Sequence, residues 1–178
     1  LNIHNMETLQ AAVTAARQVG CPLLLQATPG TVTFAGADYL GAMARAAARD
    51  GLTLSLHLDH ATDLEIIEDC LRAGFSSVMY DGSRLPMAEN IANTLQVMEM
   101  ARLYGAAVEA ELGQIGGREE HIEGSSVLTD PQQARDFVQA TNVDFLAVAI
   151  GTAHGIYKGE PNLDFERLGK IAQVVSVP

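Results

Sequence analysis

Positive charge is scarce in this chain: 11 lysines and arginines stand against 22 aspartates and glutamates, for a formal net charge of −11. That balance, with no basic run, excludes a nucleic-acid surface. No run of about 18 or more uncharged apolar residues occurs, which excludes a transmembrane helix. No signal-peptide pattern opens the chain. Cysteine is limited to Cys21 and Cys70. The two are far apart and lack metal-ligand spacing, so both are expected to be reduced core residues of a cytoplasmic protein. No GxGxxG follows an apolar strand, so nothing supports a dinucleotide-binding sheet. The first residue is Leu1 rather than methionine, and an upstream segment is expected.

What is present is apolar material in regular alternation. Hydrophobic residues make up 48% of the 178 positions, enough for a core. Leu1–Asn5 reads as the tail of a strand, Met6–Val19 as a helix stopped by Gly20, and Cys21–Ala27 as a short strand. Thr28-Pro29-Gly30 reads as a turn. Helix is predicted again over Ala35–Arg49 and Asp63–Ala73, and from Pro86 in a first turn through Tyr104. Strands are predicted at Leu52–His60, Phe75–Tyr80, Ala106–Leu112 and Asp144–Ile150. Helices at Gln132–Ala140 and Phe165–Val175 complete the pattern. Gly113–Asp130, with its Gly116-Gly117 pair, reads as a long polar loop, a length that usually marks function or mobility.

Strand and helix thus alternate at a repeat of roughly thirty residues, the size of a βα unit. Such units form a parallel sheet covered by helices. Asn5, Thr28, Asp59, His60, Asp81, Glu111 and His154 all fall at carboxyl ends of strands, where a (β/α)8 barrel carries its active site. The predicted fold is therefore α/β, a TIM barrel. Only about six units are present where eight are needed. Residues 1–178 are expected to be a single partial barrel domain, without strands 7 and 8 and most of strand 1.

The richest stretch is LTLSLHLDH, Leu52 to His60. Alternation puts His57 and Asp59 on one face and His60 on the other, unless the backbone turns at His60, as the following Ala-Thr-Asp suggests. A structural hydrogen-bond cluster is one reading of these polar groups. The other is a metal site, since imidazole suits zinc and both His60 and His154 sit where a strand meets its loop. A catalytic zinc takes three protein ligands, and His57, His4, Glu111 and His121 are open candidates for the third. Asp59, beside His60, suits acid–base work. Glu109 and Glu111 lie on one face of their strand, as ligands, as groups supporting ligands, or as hydrogen-bonding partners at a tight strand end. Glu119 sits in the glycine-rich loop, either on a lid or on a solvated acidic segment.

HLDH, SVMYDGS, VEAELGQIGG and AVAIGTAHG occur in this order, and together they resemble the class II, zinc-dependent ketose-bisphosphate aldolases of the fructose- and tagatose-1,6-bisphosphate type. The resemblance runs from Leu1 to Pro178. It implies a (β/α)8 barrel, a zinc cofactor with a monovalent cation as a second candidate, a phosphorylated sugar as substrate, and a homo-oligomer. It further implies that Asp59 handles the proton of the C4 hydroxyl and that His60 and His154 bind zinc. Glu111 corresponds to a carboxylate of an alternative metal position, and Glu119 to one that moves a proton on the dihydroxyacetone phosphate carbon. Gly155 would hold the phosphate end through its backbone, and Asn5 and Thr28 would touch substrate. A third zinc histidine belongs to a motif that would lie beyond Pro178. The 178 residues alone are accordingly expected to show little aldolase activity, as an inactive fragment; a non-catalytic barrel subunit is the other alternative. AVAIGTAHG and ATPGT resemble the tagatose branch and YKGEPNL the fructose branch.

Overall fold

The computed structural model describes residues 1–49, 51–119, 122–124, 126–157 and 159–178. In chain order the elements are α1 Met6–Val19, β1 Leu23–Ala27, α2 Pro29–Ala35, α3 Ala37–Ala48, β2 Leu54–Ala61, α4 Leu64–Ala73, β3 Ser77–Tyr80 and α5 Met87–Tyr104. There follow β4 Ala107–Leu112, β5 Gly116–Glu119, β6 Ile122–Gly124, α6 Pro131–Thr141, β7 Phe145–Val148, β8 Ala153–His154 and α7 Phe165–Ala172. The chain divides into two compact units, one of Leu1–Tyr80 with Glu99–Val108 and one of Asp81–Met98 with Glu109–Pro178.

In the first unit, β1 pairs in parallel with β2, Leu23 opposite Leu54 through Ala27 opposite Leu58. β2 pairs in parallel with β3. The Ala107 N–H at the start of β4 donates to Ser76 O at 3.1 Å. On the other side of β1, Ile3 N–H donates to Gln26 O, and Gln26 N–H to Leu1 O. The expected amino-terminal strand tail is therefore a single parallel bridge, Asn2 to Gln26. All four residues of β3 are buried, as expected for a parallel strand covered on both faces. Leu25, Leu58, Ile67, Leu71, Phe75 and Val78 make the centre of this core.

Local chemistry explains the helix ends. Asn5 and Thr8 form a capping box at α1, and Gly20 ends it at φ 73. Asp63 caps α4, and its Oδ1 accepts from Glu65 N–H at 2.8 Å. Two expectations fail in this region. Thr28-Pro29-Gly30 starts α2 instead of making a turn: Thr28 Oγ1 accepts from Thr31 N–H at 3.3 Å, and Pro29 occupies the first helical position. The same three residue types open helices and turns, so composition could not separate the two. The helix expected over Ala35–Arg49 is α3, and Gly36 at φ 85 separates it from α2. Cys21 is also exposed, against the expectation of a core thiol, while Cys70 is buried. Cys21 directly follows the α1 cap, and its N–H donates to Ala16 O at 3.2 Å, so it belongs to the turn and not to β1.

In the second unit, β4 and β7 pair in parallel, Glu109 opposite Phe145 through Leu112 opposite Val148. Pro86 immediately precedes α5 and closes its first turn, its carbonyl accepting from Asn90 N–H at 3.0 Å. Thr129 joins the strand ends. Its hydroxyl donates to Leu112 O and accepts from Ala149 N–H at 2.8 Å, while its N–H donates to Ala149 O at 2.9 Å. Its carbonyl accepts from Arg167 of α7 at 3.0 Å. The polar stretch expected as a loop contains an antiparallel hairpin, β5 with β6. It also carries a parallel partner: β8 pairs with β5, Gly116 opposite Ala153 and Gly117 opposite His154. GGRE has no apolar alternation to announce a strand; its pairing rests on backbone hydrogen bonds and on glycines that let another strand approach closely.

Candidate active site

Asp59 and His60 are presented by an irregularity in β2. Between the Leu58–Val78 and Ala61–Tyr80 pairs, β2 carries Asp59 and His60 where β3 carries only Met79. Two residues opposite one is a β-bulge, which bends the strand and re-aims side chains. His60 takes φ 52, a left-handed conformation unusual outside glycine. The expected turn at His60 is thus a bulge inside a strand that runs on to Ala61. One pair before it, His57 Nδ1 and Ser77 Oγ share a 2.8 Å hydrogen bond. Burial pushes the His57 imidazole below its ordinary value of 6.5; Asp59 opposes that shift and His60 adds to it.

His4 and Thr28 meet at the next strand end of the same unit. His4 Nδ1 lies 2.8 Å from Thr31 Oγ1, which also accepts from Thr28 Oγ1 at 3.2 Å. Asn5 Oδ1 accepts from Thr8 N–H at 2.9 Å. Asn5 and Thr28 therefore each cap a helix, whatever else they touch.

In the second unit, Glu111 is 1% exposed although it is a carboxylate. A carboxylate oxygen of Asp81 lies within 4.8 Å of one of Glu111. Asp81 is further oriented by Ser83, whose N–H and hydroxyl donate to Asp81 Oδ1 at 3.0 and 2.6 Å. Two carboxylates this close, one of them buried, repel unless a proton or a cation is shared between them. Carboxylate oxygens are donors that fit a divalent metal. His154 Nε2 is shielded from solvent. Behind the strand, Asn90 Nδ2 donates to the Glu111 carbonyl at 3.1 Å, and Thr94 Oγ1 donates to Asn90 Oδ1 at 3.2 Å. His154 lies in β8, with Gly117 of β5 as its register partner. Gly155, at φ 81, follows it. Glu119 ends β5, opposite Ile122. His121 lies outside the described residues.

Within each unit, then, Asp59 sits beside His60, Glu111 beside Asp81, and His154 on the strand adjoining that of Glu119. His4 and His57 have hydroxyl partners. Asp81 is a strand-end polar group to which the sequence assigns no role. The signal for one is its place directly after a fully buried strand.

A family model described as Fructose-bisphosphate aldolase class-II matches residues 1–178. The chain belongs to the class II fructose-bisphosphate aldolase family. Solved aldolases agree with that membership. The YdjI aldolase from Escherichia coli K12 is 34% identical at a TM-score of 0.86, over 99% of this chain and 63% of that one. A Coccidioides immitis protein assigned as a fructose-1,6-biphosphate aldolase is 33% identical at a TM-score of 0.86, over 97% and 62%. Fructose-bisphosphate aldolase (Fba) from Campylobacter jejuni is 25% identical at a TM-score of 0.80, over 97% and 58%. This class II aldolase chain therefore spans somewhat under two thirds of the length of these relatives. The match assigns its alternating helices and parallel strands to the aldolase barrel fold. Among the described residues, no helix is long and apolar enough to cross a membrane.

Proposed function

We propose that the whole protein is a metal-dependent aldolase. It cleaves a ketose 1,6-bisphosphate, of fructose or tagatose configuration, reversibly to dihydroxyacetone phosphate and glyceraldehyde 3-phosphate. The observation that carries the metal dependence is the Glu111–Asp81 pair, because a carboxylate that is 1% exposed with a second one within 4.8 Å calls for positive charge. His60, His154 and Glu111 would hold zinc, with Asp81 as a further oxygen donor and a monovalent cation nearby. Zinc bound there would supply Lewis-acid stabilisation of the negative charge that cleavage develops at the substrate carbonyl.

The remaining steps belong to the chain. Asp59, held on the bulge, accepts the C4 hydroxyl proton as the carbon–carbon bond breaks and returns it in condensation. Glu119 moves a proton at the dihydroxyacetone phosphate carbon. The Gly155 backbone holds the adjoining phosphate, and Asn5 and Thr28 contact the sugar. A protein of net charge −11 binds an anionic substrate only with such local compensation. A homo-oligomer working in the cytoplasm completes the reading.

The test is cleavage of both ketose bisphosphates by the full-length protein. Activity should disappear with chelator and return with zinc, and the ratio of kcat/KM for the two sugars assigns the epimer. Cleavage that survives chelator, or that borohydride traps on a lysine, would overturn the proposal.

A further inference from the structure

We propose that His57 is a positioning residue for Asp59 and His60, acting through its hydrogen bond to Ser77 so that the bulge in β2 forms at those two residues and nowhere else. The inference rests on the aldolase reading for its functional consequence, but not for its geometry.

His57 and Ser77 are register partners on adjacent parallel strands, so their side chains stand on the same face. They are 4% and 9% exposed, and Gln26, the register partner of His57 on β1, shares their face. A buried polar pair is an expensive way to fill space, since an apolar pair of like shape is often as stable. What the polar pair adds is direction: Nδ1 and Oγ meet at 2.8 Å only when His57 lies opposite Ser77. A slip of one residue turns every side chain of a strand to its other face. The next pair is Leu58 with Val78, and directly after it β2 gains its extra residue. The lock therefore stands immediately ahead of the irregularity. Asp63, capping α4, fixes the chain on the far side. Between these anchors His60 is kept at φ 52, a conformation that persists only where its surroundings over-determine it. Burial also favours the neutral form of the imidazole.

The test uses the full-length protein with His57→Asn, His57→Leu, Ser77→Ala and the double variant His57→Leu/Ser77→Ala. Asparagine can place an amide near the position of Nδ1; leucine cannot. Amide hydrogen exchange is measured on the metal-free protein, and zinc affinity, kcat and KM on the reconstituted one. In His57→Leu and in Ser77→Ala, exchange at residues 58–62 should quicken about tenfold while β1 is unchanged. Zinc affinity should fall about 10–100-fold, with kcat losing more than KM gains. His57→Asn should stay within about threefold of wild type, and the double variant should be no worse than the worse single one. The lock is overturned by unchanged exchange at residues 58–62, by an equal rise in β1, by a double variant additive in its singles, or by His57→Asn failing as badly as His57→Leu. A wild-type protein without chelator-sensitive cleavage would sink the aldolase reading, while the exchange data would still decide the lock.

Discussion

Gly117→Ala should detach a proposed metal ligand without unfolding the protein. Gly117 has φ +98, and a Cβ there would lie 2.2 Å from His154 O and 2.7 Å from His154 N. The backbone conformation alone costs an alanine about 1–2 kcal/mol. The overlap adds about 1–3 kcal/mol, because the opposing atoms are main chain and cannot rotate away. Only the overlap is relieved by moving β8, and it opposes the pairing of β5 with β8, two register pairs long. At about 0.5–1.5 kcal/mol net per backbone hydrogen bond, that pairing contributes about 1–3 kcal/mol. The two are of the same size, so β8 loosens from β5 and His154 moves with it. Zinc affinity should drop more than tenfold, by chelator competition. Amide exchange should rise at Ala153 and His154 but not in β7. Gly105→Ala is the control: its φ is +66 with nothing within 4 Å of the added Cβ, so it pays the conformational cost alone. Gly117→Ala with wild-type zinc affinity and unchanged exchange at residues 153–154 would refute the reasoning.

Asp59→Ala should abolish cleavage while zinc binding is retained; an active variant would remove Asp59 as the acid–base group. Cys21 is exposed, whereas burial, with Asp69 adding to it, pushes the Cys70 thiol up to about 12. A disulfide reagent at pH 8 should therefore label one cysteine in the native protein and two after denaturation, as read by mass spectrometry. The His57 imidazole sits below its ordinary 6.5 in the fold, so the native state binds fewer protons than the unfolded one. Its contribution to stability is full above pH 6.5 and is lost as pH falls toward the lowered folded value. The urea midpoint should drop on acidification through that window, and drop less in His57→Asn; equal slopes would contradict the assignment.

Much of the fold could be read from residue order, and for physical reasons. The limits of α1 follow from Asn5 and Gly20, groups that act on their own helix ends. The strand carrying His57, Asp59 and His60 announced itself by alternation, and the irregularity at His60 by the polar residues that follow. The hairpin at β5 and β6 was not legible, because its stability comes from backbone pairing and from glycine, not from apolar period. Asp81 beside Glu111 was not legible either. The two are separated along the chain by the whole of α5, and only the fold brings them within 4.8 Å. Asn5 and Thr28 show that a polar residue at a strand end can also serve as a helix cap.

Thr129 leaves a constraint on how this region can vary. One oxygen serves the last carbonyl of β4 and an amide just past β7. Tolerance there is decided by chemistry and not by volume. Valine would fill the same space but leave the two backbone groups only the longer 3.3 Å bond from Ala149 N–H to Leu112 O, while serine, though smaller, would keep the hydroxyl between them.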